Sequence, residues 1–364
     1  MRMIRNGKFT DKKILLIDKE PKTKNDRTWC FWEKEKGFFE DIVCKKWSKL
    51  SFLSDEYSDT MDISPYQYKL IRGIDFYNYC FDEIKKHSNI DLFYGTVTSV
   101  ICDKEGVSIE IDNVTHYFDH TTLFNSFPPK KETANQKQGK EINLLQHFKG
   151  WVIETPGPAF DPGRATFMDF RVDQQRGTTF VYVLPFSKTK ALVEYTLFTD
   201  NILANDEYEM ELATYIRNFL KIDDYKIEEK EFGIIPMTNR KFKIFTDYMY
   251  YIGTAGGQTK ASTGYTFQFI QKQSEQILDC LISKKQLSGI QPNAPRFFFY
   301  DKVLLDVLYN HRASGKKVFT TMFRKNKPQQ ILKFLDNESS LVEEIKIIST
   351  LPTLPFLKAA KNQL

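Results

Sequence analysis

The strand-like segment KALVEYTLF places Leu192, Glu194, Thr196 and Phe198 on one face and Val193, Tyr195 and Leu197 on the other. Glu194 is thus an acid with apolar neighbours on both sides. If buried, its charged form is disfavoured, and a carboxyl still protonated near neutral pH is a general acid. An exposed edge strand or a buried salt bridge is the simpler account of the same residue from the sequence alone. A second candidate is GTAGGQTKASTGYTF, Gly253 to Phe267, which follows a strand and leads into a helix capped by Ser262 or Thr263. Such a turn presents backbone N–H groups to an anionic or electron-rich ligand edge. An ordinary strand-to-helix turn has the same glycines. The third is NDRTWCFWE, Asn25 to Glu33, in which Arg27 is a bidentate donor for a cofactor phosphate and Trp29 and Trp32 wall an apolar pocket. A structural ion pair beside core aromatics is the other reading. Asp169 and Asp173 in MDFRVDQ are further carboxylates, with Arg171 as the partner in a structural ion pair.

Other chemistries find no support. The five histidines show no ligand spacing, and His116 and His120 lie in a strand-like stretch, so no metal site is expected. No G-x-S-x-G or Cys/His arrangement points to covalent catalysis. The five cysteines are scattered without a C-x-x-C pair, which argues against a disulfide framework or zinc and fits a reducing cytoplasm. Against 52 Lys and Arg stand 47 Asp and Glu, a net +5 too evenly mixed for a nucleic-acid binder. No 18-residue apolar run or signal-peptide core is present. Aromatics make up 15% of the chain, with 31 Phe and 18 Tyr, enough to line a pocket for a large apolar ligand as well as a core.

The elements that must position these residues follow. At 364 residues the chain has room for about two domains. MRMIR reads as a helix, Gly7 as its turn, and KILLID (Lys13 to Asp18) as a buried parallel strand ending in an acid. In dinucleotide-binding units such an acid holds a ribose hydroxyl about 20 residues after a glycine fingerprint. No G-x-G-x-x-G occurs in this sequence. Asp75 to Lys86 reads as a helix, with strands near residues 91–98, 107–111 and 121–125 and a polar loop over Lys130 to Glu141. Four strands between Asn143 and Phe198 predict an antiparallel sheet inserted between halves of the first domain. Helices are expected at Glu207 to Leu220, at Thr263 to Ile282 and throughout the region beyond Pro295, with a strand at Met249 to Gly253.

Taken together, NDRTWCFWE, MDFRVDQ with FVYVLPFS and LVEYT, the PMTNR turn and GTAGGQTKASTGYTF resemble the bacterial lycopene cyclase family over nearly the whole chain. The resemblance implies an α/β fold. In it, an FAD-binding Rossmann-type flavoprotein domain (1–125 with 225–290) joins an antiparallel-sheet substrate domain (126–224) and a helical C-terminal region (291–364). It implies acid-initiated closure of the linear ends of lycopene into β-ionone rings, with reduced FAD required, NAD(P)H as its electron source and no net redox change. Glu194 takes the role of the acid. Asp18, Arg27, Gly253, Gly256, Gly257 and Thr263 would contact FAD, and Trp29, Trp32, Phe180 and Tyr182 would line the substrate pocket. The family opens with a strand and glycine turn that this sequence lacks, so an N-terminally truncated dinucleotide unit is expected. A related flavin-dependent oxidoreductase, or an inactive carotenoid-binding homologue, is the alternative. Because lycopene resides in a bilayer, a cytoplasmic, peripheral membrane protein is expected, with the basic stretches HRASGKKVF and FRKNK beside Phe319, Met322 and Phe323 as its lipid face.

Overall fold

The computed structural model describes residues 1–127, 141–242, 244–246, 248–290 and 294–364. The polar loop expected over Lys130 to Glu141 lies outside these residues except for Glu141. Among the described residues the architecture is α/β, with five sheets and a helical C-terminal part.

The expected acid-terminated strand, Ile14–Asp18, runs parallel to Ile90–Tyr94, with Asp18 opposite Tyr94. A second parallel pair joins Leu123–Asn125 to Met249–Tyr251. Both pairs lean on the antiparallel meander of Val97–Cys102, Gly106–Ile111 and Val114–Asp119, where Ile17 and Leu123 meet Val107, Ile109 and Ile111. Ile14–Asp18 was expected to be buried. Instead Leu15 and Leu16, which point to opposite faces, are about 40% exposed, so neither face of this two-stranded pair is fully covered among the described residues.

The largest sheet has seven strands in the order Lys226–Thr238, Asn143–Glu154, Lys190–Thr199, Thr178–Pro185, Arg164–Asp169, Lys49–Leu53 and Ser58–Asp62. The four strands anticipated between Asn143 and Phe198 form its middle. They pair antiparallel with one another, as expected, and the sheet as a whole is mixed because Arg164–Asp169 also lies parallel to Lys49–Leu53. It also recruits residues 49–62 and 226–238 from outside the stretch expected to form it. Alternation then builds two layers. Val193, Tyr195 and Leu197 pack under Tyr208, Leu212, Tyr215 and Ile216 of the helix Asn205–Asn218. Leu192, Phe198, Phe180 and Tyr182 face Phe319, Met322, Phe323, Ile331 and Leu332 of the helices Gly315–Lys325 and Pro328–Leu335.

The helix expected from Thr263 begins four residues later, at Phe267, with Thr266 at its N-cap position. The residues before it are held in a loop: Lys260 Nζ and Ser262 Oγ both donate to buried Asp301 Oδ1, at 2.8 and 2.6 Å, and Gly264 has φ +73°. A left-handed residue cannot continue a right-handed helix, so the helix starts beyond it.

Candidate active site

Glu194 lies at the middle of the large sheet, directly opposite Tyr182 on one neighbouring strand and Gly150 on the other. The next strand places Glu231 opposite the same Gly150. The missing side chain at residue 150 lets the two carboxyls approach over one backbone position. A Cβ there would stand 2.9 Å from Glu231 Cγ, Glu231 Oε1 and Leu192 Cδ1. Glu194 Oε1 accepts from Thr196 Oγ1 at 2.9 Å, and Glu231 Oε2 from Thr28 Oγ1 at 2.7 Å. Among the described residues neither carboxyl has a cationic partner. Burial, and then the facing Glu231 charge, push the Glu194 carboxyl well above the ordinary carboxylate range. Glu231 is raised as well, chiefly by burial.

Around the pair stand groups that keep their protons. Tyr68 and Tyr265 hydroxyls lie 3.2 Å apart, and burial raises Tyr68, Tyr182 and Tyr265 above the ordinary phenol range. Burial, together with the nearby Glu194, raises the Cys30 thiol too. Tyr182 and Tyr265 are within reach of the Glu194 charge and line a small apolar cavity with Phe167, Phe198, Phe319 and Phe323.

The other expected site residues are spread more widely. Tyr182 lines the cavity and Thr263 is on its wall, whereas Phe180 is wholly buried between Phe170, Tyr182 and Phe198. Trp32 is buried, donates Nε1 to Leu332 O at 3.2 Å and packs edge-on against Tyr265 at 4.6 Å. It lines a small neighbouring cavity with Phe31, Phe267 and Asp336. Trp29 is half-buried 5.6 Å from Phe267, and its Nε1 is buried without a partner. Arg27 Nη2 pairs with Asp26 Oδ2 at 2.8 Å, and Asp18 Oδ1 with Lys22 Nζ at 2.8 Å. Asp169 is fully buried and accepts from Arg171 and Tyr215, the structural ion pair expected for it.

In the Gly253–Gly256 turn, the N–H groups of Gly256, Gly257 and Gln258 are engaged by Ile252, Thr254 and Gly253 carbonyls. This corrects the expectation of a glycine turn offering its donors at a helix N-terminus. Gly253, at φ +60°, has nothing nearer than 4.0 Å where a side chain would project. Open space beside a left-handed glycine leaves the backbone there free for close approach by another group.

Phe319, Met322 and Phe323 were expected on a lipid-facing surface; they are buried on the cavity side of their helix. The apolar face of that helix is consumed by the sheet. Large exposed aliphatic residues occur instead on Leu341–Ile348 and Thr353–Gln363, where Leu341, Val342, Ile345, Leu354 and Leu357 are all more than half exposed.

Sequence reasoning missed Glu231, Gly150, Thr28, Tyr68 and Tyr265 as members of one cluster. Thr28 and Tyr265 lie inside the motifs singled out, so proximity to those motifs was the available signal.

By fold this is a flavoprotein-like molecule. A flavoprotein/dehydrogenase from Cytophaga hutchinsonii superposes with a TM-score of 0.61 at 12% identity, over 99% of this chain and 94% of that one. The flavin-dependent brominase Bmp2 superposes at 0.59 and 13% identity, over 93% and 92% of the two chains. A geranylgeranyl bacteriochlorophyll reductase-like protein from Thermoplasma acidophilum does so at 0.57 and 13%, over 98% and 91%. The family model described as lycopene cyclase protein matches residues 5–361, and the chain belongs to that family. A lycopene beta-cyclase of Paracoccus sp. (strain N81106 / MBIC 01143) is 36% identical over 95 residues, 26% of this chain and 24% of that protein. The match thus spans about a quarter of that relative's length.

Proposed function

We propose that the protein is a lycopene β-cyclase in which Glu194 is the general acid. The observation that carries this reading is a carboxyl facing a second acid across Gly150, away from any cation among the described residues, on the strand beside the tyrosine that lines an aromatic cavity. In the reaction the Glu194 O–H bond breaks and a C–H bond forms at the terminal double bond of the polyene. The resulting cation closes on the neighbouring alkene, and loss of a ring proton to a carboxylate restores the acid. The faces of Phe167, Phe198, Tyr182 and Tyr265 stabilise positive charge in a site that excludes water.

Asp18, Arg27, Gly253, Gly256, Gly257 and Thr263 are the residues proposed to hold FAD, in a dinucleotide half comprising 1–125 and 225–290. When bound in reduced form, with NAD(P)H as electron source, the flavin supplies an electron-rich ring that favours nearby positive charge. Trp29 and Trp32 close the aromatic side of this region. The substrate arrives from a lipid surface, and the exposed aliphatic residues of the two C-terminal helices are the proposed contact.

The test is Glu194→Gln assayed on lycopene with reduced FAD. The variant is expected to keep its fold and to lose ring formation by at least a hundredfold, within the range general acid catalysis contributes. Full activity would refute the assignment. Cyclisation leaves substrate mass unchanged, so a product of altered mass would move the protein to an oxidoreductase reading.

A further inference from the structure

The large sheet sets two acids at the same register position, on the two strands that flank Gly150. Glu231 is fixed by the Thr28 hydroxyl through Oε2. Its Oε1 stands over Gly150, buried and without a hydrogen-bond partner. Glu194 lies opposite that same glycine. Cys30, Tyr182 and Tyr265 face the pair from the adjoining elements, and Glu229 adds a further negative charge along the Glu231 strand. None of these supplies a positive charge. Two carboxylates so placed cannot both ionise at neutral pH.

We propose that Glu231 is a positioning residue for the catalytic proton: across Gly150 the two carboxyls share one proton, held on Glu194, whose O–H donates to a Glu231 anion fixed by Thr28. This rests on the reading of Glu194 as the acid and adds a second, specific role. The shared proton keeps Glu194 in its acid form and fixes the direction of its O–H bond. When Glu194 gives that proton to a substrate carbon, the O–H bond breaks and the C–H bond forms. Two facing carboxylates then stand beside a carbocation. Their mutual repulsion makes the pair a strong base at the moment the ring proton must leave, so the C–H bond breaks and the O–H bond is restored. The pair titrates as a unit.

The experiment combines infrared spectroscopy of the full chain with kinetics, both followed over pH. In an Asp336→Asn background, which removes the other carboxyl held protonated near pH 7, the chain is expected to show a protonated-carboxyl stretch persisting through neutral pH, absent when Glu194→Gln is added. In Glu231→Gln that band should titrate at least one pH unit lower, and the alkaline limb of kcat should move with it. Thr28→Val tests the same arrangement without altering a carboxyl: kcat should fall about tenfold with KM unchanged, and Thr28→Ser should restore it. A Glu231→Gln variant with the wild-type band position and pH profile overturns the proposal, as does a fully active Thr28→Val. An inactive Glu194→Gln alongside a wild-type-like Glu231→Gln removes this inference alone. An active Glu194→Gln removes the reading beneath it.

Discussion

Glu194 and Asp336 are both carboxyls that burial makes reluctant to ionise, and their surroundings give them different uses. Asp336 follows the helix Pro328–Leu335, and Lys272 and Lys260 lower its carboxyl without offsetting a larger desolvation, which leaves it at about 7. Glu194 has no cation near it and faces a second acid, so its proton is held by repulsion as well as by burial. The Asp336 proton has a stability consequence with a definite sign. Unfolded, the carboxyl ionises near its ordinary value of 3.8; folded, at about 7. Between these values the native state binds the extra proton, so stability declines as pH rises from about 4 to 7 and stays lower above that. Asp336→Asn is expected to remove this slope and to be more stable than the parent at pH 8, by no more than about 4 kcal/mol at 1.36 kcal/mol per pH unit. Urea unfolding at pH 5 and pH 8 measures both arms. Cyclisation should survive the substitution, and its loss would transfer the acid role from Glu194 to Asp336.

Gly150 is the point where strand geometry becomes site geometry. Its absent side chain lets strands Lys190–Thr199 and Lys226–Thr238 bring their glutamates together above Asn143–Glu154. Gly150→Ala would push a methyl group to 2.9 Å from Glu231 and Leu192, an overpacking expected to cost about 1–3 kcal/mol and to separate the acids. Thermal unfolding gives the first effect, and a lowered alkaline limb of activity gives the second. The Glu194 strand was legible in the sequence because apolar residues flank the acid with a period of two and both faces are covered. Lys226–Thr238 was not legible as part of the same sheet. Its first half is rich in exposed Lys and Glu, and nothing local separates half-buried Glu231 from exposed Glu229. The strands between Thr28 and Arg72 were missed for a related reason. Thr28–Glu33 pairs with Gln67–Arg72, so the contact that makes each a strand lies far away in sequence. The glycine motif was recognised as a turn, but its helix start was misplaced because Asp301, which anchors Lys260 and Ser262, comes from a distant helix.

At the scale of the molecule, the aromatic content noted at the outset is divided between a core and a cavity wall, and the C-terminal helices form the seam between them. Gly315–Lys325 gives its apolar face to the cavity, which leaves no apolar residues of that helix for a lipid surface. Leu341–Ile348 and Thr353–Gln363 are built differently. Ile347 and Ala359 face inward, while Leu341, Val342, Ile345, Leu354 and Leu357 point outward. Lys346, Lys358 and Lys361 are exposed on the same two helices. Apolar residues beside basic ones on adjoining helices suit an interface with anionic lipid, where burial of aliphatic side chains adds to attraction of the charges. Each leucine transferred from water into the acyl boundary is worth about 1.5–3 kcal/mol when fully buried. Leu354→Ser with Leu357→Ser should therefore weaken binding to vesicles containing anionic lipid by at least tenfold, while turnover of lycopene presented in detergent stays at the parent rate. Raised salt should weaken binding of the parent as well, because the lysine contribution is screened. Flotation of parent and variant with neutral and anionic vesicles measures both effects, and equal flotation of the two proteins on every vesicle would exclude these helices as the lipid contact.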